Sequence, residues 1–339
     1  MKLLNINVFT DAPNDSTSFY RAWGVFNQIR KRTDLPLNLL EEPRFGWNTI
    51  NKFDLCYMHR ANSQDHLDAV TICKKNNIPV WVDYDDDLVN IPKHNPAYRV
   101  FSDKKDKIKD ILSLADVITV STQALKDNYI AALQAGGSKI EVVENFVPFD
   151  NLPFNIPQKR GGKFRILWRG SNTHEMDWIV FKDAFIAFLK LHPDKIKFIN
   201  IGDMPMAIKM EIAQYCEVEN VQGRRLIDYL LWLRTGVADC IFVPLEDIPF
   251  NAAKSDIAVQ EGLIGGMDAV CPKWNSDAFY AYENVQEATD MLDSVYTDWH
   301  ENYEDYKKGI VRAQNDMKEK YQQRFDKRLN ILKNILKVN

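Results

Sequence analysis

The order of apolar and polar positions divides the chain into alternating strand-like and helix-like stretches. Short apolar runs at 3–9, 53–58, 79–82, 117–120 and 140–143 read as strands. Between the first two, Phe19, Trp23, Phe26 and Ile29 recur at helical spacing. Helical patterns also cover 67–76, 108–115 and 123–135, the last stopped by Gly136-Gly137. A proline- and glycine-dense stretch from Val147 to Gly162 then reads as a linker. Beyond it the alternation restarts, with strands at 164–168, 197–201, 239–243 and 269–270. Helices are expected at 176–191, 226–234 and 283–295, and a long one begins at Tyr303. This rhythm predicts an α/β protein with parallel sheets covered by helices. It divides into a first domain over 1–150, a linker over 151–162, a second domain over 163–310 and a terminal helix over 311–339.

In parallel sheets of this kind ligands sit beyond the carboxyl ends of the strands, so the residues that follow each strand are the candidates. They are Tyr20 and Arg21 after the first strand, His59-Arg60 after the second and Asp83 to Asp87 after the third. In the second half they are Arg169, Gly170, Ser171 and His174 at one turn and Arg224 at another. The stretch from Ala238 to Gly266 is the densest. A strand ends at Pro244, a loop carries Asn251, and Lys254-Ser255-Asp256 opens a helix that stops at Gly265-Gly266. The first N–H groups of such a helix are unpaired and attract an anion. Lys254 and Ser255 add a cation and a hydroxyl there. Glu261, two turns on, is a carboxylate able to accept both hydrogen bonds of a vicinal diol such as a ribose.

The acidic run has three readings. Its carboxylates are structural partners of Arg21 or Arg60, or they bind or deprotonate an acceptor, or they hold a divalent cation. Crowded carboxylates raise one another's pKa, which would suit a general base, but pairing with Arg21 or Arg60 is the reading given most weight.

Composition narrows the field. The 339 residues are many for a single core. A net charge of −4 excludes a generally basic nucleic-acid binder. No run approaches the ~20 apolar residues of a membrane span. The five cysteines lack metal-ligand spacing and read as reduced thiols of a cytoplasmic protein.

The order Asn251, Lys254-Ser255, Glu261, Gly265-Gly266 resembles the nucleotide-sugar site of GT-B glycosyltransferases. The strings ILWRGSNTHEMD, VWVDYDDDLVNIP, LADVITVST and VVENFVP are similar to other parts of that family, including its compact bacterial and phage-encoded members. One family glutamate, which would fall near Ala253, is absent. The resemblance implies two Rossmann-like domains facing across a cleft, with the terminal helix crossing back to the first. It implies transfer of a hexosyl or pentosyl group from a nucleotide diphosphate sugar, UDP-linked by preference, with no tightly bound cofactor and no required metal. Arg169 and Lys254 would stabilise the leaving diphosphate, and Asp85 or Asp86 would serve the acceptor. Gly170, Ser171, His174, Arg224, Asn251, Ser255 and Glu261 would bind the donor. Tyr20, Arg21, Arg60 and Asp83 would face the acceptor, which is a hydroxymethylated base in DNA or a surface glycan. A nucleotide-sugar epimerase on a similar fold is the competing reading.

Overall fold

The structure is a computed structural model that describes residues 3–10, 15–41, 52–133, 140–147, 154–159 and 161–338. The Gly136-Gly137 stop, and Pro148 and Pro153 of the linker, lie outside the described residues.

The chain builds two six-stranded sheets, and all pairings in both are parallel. The first contains β1 (Leu4–Thr10), β2 (Leu37–Leu40), β3 (Leu55–His59), β4 (Val80–Tyr84), β5 (Val117–Val120) and β6 (Ile140–Val142). Their spatial order is β2-β1-β3-β4-β5-β6. The second contains β7 (Phe164–Gly170), β8 (Ile196–Gly202), β9 (Glu217–Val221), β10 (Cys240–Phe242), β11 (Asp268–Pro272) and β12 (Tyr280–Tyr282), in the order β12-β11-β10-β7-β8-β9. Each sheet reverses its direction of winding once, between β1 and β3 and between β7 and β10. A crevice opens at the carboxyl ends of the strands at such a point.

The sequence pattern misses β2, β9 and β12, all three of them edge strands. A central strand is buried on both sides and reads as a continuous apolar run, whereas β9 reads GluValGluAsnVal with no residue fully buried.

Three apolar clusters hold the molecule together. Trp178, Phe185, Phe198 and Phe242 centre the core of the second domain. Met58, Val82 and Ile118 pack one face of the first sheet, and Val8, Phe26, Tyr57 and Trp81 pack the other. The helix Tyr303–Leu336 is about 50 Å long at 1.5 Å per residue. Its Tyr306 and Ile310 lie in the second domain's core, while Phe325, Ile331 and Leu332 cover the first sheet. One apolar face, repeating at helical spacing, thus ties both domains together. Gly266 ends the helix Ile257–Gly265 at φ +74, where a Cβ would stand 2.6 Å from the carbonyl of Asn155.

Candidate functional site

The two reversal points face one another across a cavity of about 350 Å³. The first domain contributes Ser16, Thr17, Tyr20, Arg60, Asp85 and Asp86, and the second contributes Arg169, Ser171, His174, Lys254, Ser255 and Glu261.

The second-domain wall carries the cations. Lys254 and Ser255 sit in a turn between the short helix Pro249–Ala252 and the helix Ile257–Gly265. The sequence pattern started the longer helix at Lys254. Instead the Lys254 N–H closes onto the Asn251 carbonyl at 2.9 Å, which completes the short helix first. The Asp256 side chain does not cap the longer helix. It accepts from Gln260 Nε2 at 2.7 Å and from Arg324 at 3.3 Å, so the leading N–H groups stay open beside Ser255 and Ala258 on the cavity wall. Lys254 Nζ lies 4.9 Å over the Phe250 ring and 3.7 Å from Asp86 Oδ1 across the cleft. Asp177 accepts from His174 Nδ1 at 2.8 Å, which leaves Nε2 as the nitrogen available to a ligand. Burial, assisted by Lys254 and Arg169 against the pull of Asp177, lowers the His174 pKa, so the ring is neutral at neutral pH.

Glu261 is 2 % exposed at the cavity floor. Its Oε1 accepts from Tyr20 Oη at 2.8 Å, and its Oε2 accepts from Arg169 Nε at 2.8 Å and Tyr229 Oη at 3.2 Å. Burial disfavours the Arg169 charge, but Glu261 outweighs it and raises the guanidinium's pKa. A second cavity of about 290 Å³ adjoins the first and shares Ser16, Arg169 and Glu261 with it. Arg224 lines this second cavity, its guanidinium 5.3 Å over the Trp232 ring.

The first-domain wall is acidic, but its carboxylates are engaged. Arg60, in the left-handed region at φ 56, donates to Asp85 at 2.6 and 3.0 Å and to Asp86 at 2.9 Å. His59 Nε2 reaches Asp85 at 3.0 Å. Burial pushes the Asp85 carboxyl up, yet Arg60 and His59 together hold it well below the usual carboxylate range.

Several expectations are corrected by this geometry. Asp85 is too weak a base for the general-base reading, because the hydrogen bonds from Arg60 and His59 hold its carboxyl low. Burial, not crowding, raises the Asp87 carboxyl, and that side chain is occupied by Asn90 and Asn128. Arg21 and Asp83 do not meet an acceptor. Both are fully buried, and Arg21 Nε and Nη2 donate to the Asp83 oxygens at 2.7 and 2.5 Å. Asn251 is not a donor contact either, since its Nδ2 donates to Asp177 at 2.7 Å and to the Glu246 carbonyl at 3.0 Å beneath the wall. Gly170 lies against the Trp168 ring, 2.6 Å from where a Cβ would stand. Its lack of a side chain serves packing rather than ligand approach. Tyr20 turns toward Glu261 instead of an acceptor. Among the described residues no group of three or more His, Cys, Asp or Glu is placed to hold a metal ion.

Tyr229 and Asp177 were missed from the sequence. Each lies inside a helix with nothing local to distinguish it from a core or capping residue. Asn145 is a third residue whose importance lies in its contacts. Its Oδ1 accepts from Arg21, its Nδ2 donates to Ser255 Oγ at 2.7 Å, and its carbonyl accepts from Gln260 and Arg324. It therefore joins both domains and the terminal helix.

No family model and no curated protein matches the sequence. Solved structures do match the fold. Anabaena HepE in complex with UDP and glucose superposes with a TM-score of 0.64 at 14 % identity, over 98 % of this chain and all of that one. A glycosyltransferase from Rickettsia africae gives 0.64 at 13 % identity over the whole of both chains. A putative UDP-N-acetylglucosamine 2-epimerase from Listeria monocytogenes gives 0.51 at 11 % identity over 91 % of each. The chain has the GT-B fold. Among the described residues no helix is long and apolar enough to cross a membrane.

Proposed function

We propose that the protein transfers a sugar from a nucleotide diphosphate sugar, UDP-linked by preference, to an acceptor hydroxyl. The observation that carries this reading is the second-domain wall. Lys254, Arg169, a neutral His174 and an open helix N-terminus converge on one side of a cleft whose other side is acidic. A diphosphate seated there gains a cation and directed N–H groups as charge develops on it, which is preorganised electrostatic stabilisation. HepE, of the same fold, binds UDP, and the cavity supplies what such a ligand needs.

On the opposite wall, Asp86 is the carboxylate best placed to orient an acceptor hydroxyl, because its side chain keeps 31 % exposure. Leu88, Ile91 and Phe101 extend that wall as an apolar surface. Arg60, the cation there, is committed to Asp85 and Asp86. Such a wall suits the ring of a neutral sugar better than a polyanionic backbone. A glycan hydroxyl is therefore favoured over a hydroxymethylated base in DNA.

The test is a thermal-shift panel of UDP, GDP, ADP and CMP, with and without magnesium or manganese, followed by radiolabelled transfer with the donor selected. A ligand at a hundred times its dissociation constant adds about 2.7 kcal/mol. A shift with one nucleoside diphosphate, then label on a glycan, supports the reading. Label on hydroxymethylated DNA would replace the acceptor. Conversion of UDP-N-acetylglucosamine with no acceptor present would favour the epimerase, and no shift with any nucleotide would remove the donor site.

A further inference from the structure

The Tyr20–Glu261 contact divides space that a nucleotide sugar would need as one. Tyr20 belongs to the first domain, yet it is 3 % exposed within the apolar core of the second. It lies on a π-helical turn, Phe19–Trp23, inserted between Ser16–Ser18 and the helix Gly24–Arg32. Such turns are uncommon and concentrate at functional sites. The turn points successive residues to opposite partners. Tyr20 reaches across to Glu261, while Arg21 anchors the turn to Asp83, to Asn145 and to the Val143 carbonyl at 2.5 Å.

Glu261 is nearly saturated. A carboxylate offers about four acceptor positions, and Tyr20, Arg169 and Tyr229 occupy three of them. A vicinal diol donates two hydrogen bonds, and while the Tyr20 hydroxyl remains on Oε1 only one acceptor position, on that same oxygen, is left for it. Glu261 also stands in the partition, with Ser16 and Arg169, between the 350 Å³ cavity and the adjoining 290 Å³ cavity. The larger cavity holds the phosphate-binding groups, and the smaller holds Arg224.

We propose that Tyr20 is an interdomain latch that competes with the donor for Glu261. On donor entry the nucleoside's diol takes the acceptor position that the Tyr20 hydroxyl vacates, and the two cavities join. Tyr20 is thus a gating residue that couples donor occupancy to the contact between domains. This inference rests on the nucleotide-sugar reading above.

The experiment is calorimetric titration of UDP into the wild type and into Tyr20→Phe, with hydrogen exchange over residues 16–23. A bond that must break before binding acts as a tax on affinity. Its removal is expected to tighten UDP binding roughly fivefold. In the wild type, UDP should quicken exchange over 16–23 even as it protects the second-domain wall. In Tyr20→Phe, exchange should already be fast and unresponsive to UDP. A merely structural tyrosine would not give tighter binding when altered. Weaker or unchanged UDP binding by a folded Tyr20→Phe, or protection of 16–23 by UDP in the wild type, would overturn the latch and leave the nucleotide site standing. Failure of the wild type to bind any nucleotide would overturn the nucleotide-sugar reading, and the latch with it.

Discussion

Asp83→Asn removes one negative charge from a site where two buried arginines depend on it. Arg21 makes a two-point contact with the Asp83 carboxylate, and Tyr57 Oη donates to it at 2.9 Å. Thr119 donates to it as well. Arg328, also fully buried, donates to the Arg21 carbonyl at 3.2 Å, and burial together with Arg21 lowers its pKa to about 10. Asparagine keeps the volume and one acceptor but leaves the Arg21 guanidinium without its paired carboxylate and removes the nearby negative charge that offsets Arg328. Breaking a buried pair from one side costs about 3–5 kcal/mol. With a urea slope of about 3 kcal/mol/M, the unfolding midpoint of the first domain should fall by about 1–1.7 M. Far-ultraviolet circular dichroism against urea reads this. The double variant Arg21→Met/Asp83→Asn should lose less than the sum of the single variants, since removing Arg21 removes part of the unpaired charge. The Asp83 carboxyl is itself pushed up by burial but held low by Arg21. Its contribution is therefore present above the unfolded carboxylate pKa and lost as pH falls through the lower folded value. A midpoint shift below about 0.3 M, combined with a selective loss of acceptor use, would refute the structural assignment and return Asp83 to the acceptor.

Three other outcomes follow from the geometry. Lys254→Ala should weaken UDP binding by about 1–3 kcal/mol, roughly 5- to 150-fold, by calorimetry, and unchanged affinity would remove Lys254 from the diphosphate site. Asp86→Asn should not weaken UDP binding, since it releases Lys254 from an ion pair, while lowering acceptor-dependent turnover at least about tenfold, as expected of the proposed acceptor-orienting carboxylate; an intact rate would make Asp86 only a partner of Arg60 and Lys254. Asp268 is buried on β11, and burial pushes its carboxyl up to about 6. A raised folded pKa means that its contribution is present below the ordinary carboxylate value and lost as pH rises through 6. Asp268→Asn should therefore melt higher than the wild type at pH 8, by an amount worth about 1–3 kcal/mol, with the gap closing near pH 4. An equal gap at both values would exclude the titration.

The alternation, the central strands and the helices that cover them are legible in the chain's own pattern, because burial on both faces leaves an uninterrupted apolar run that needs no partner to be read. The pattern also determined that polar residues gather at strand ends, and so where a cleft would open. It marked Lys254, Arg169 and His174 because cations and a turn at a helix start are local features. Tertiary structure decided which of the remaining polar residues face the cleft. Arg21 and Asp83 occupy strand-end positions as promising as those of Arg60 and Asp86. One pair is sealed under the sheet, and the other is open to the cavity. The terminal helix packs over the sealed pair and brings Arg328 onto the Arg21 carbonyl from 307 residues away in sequence. Tertiary structure likewise gave Glu261 its three donors, from Tyr20, Arg169 and Tyr229 on three separate elements. A residue's type fixes which bonds it can make, but the charges around it and its access to water are set by segments far along the chain.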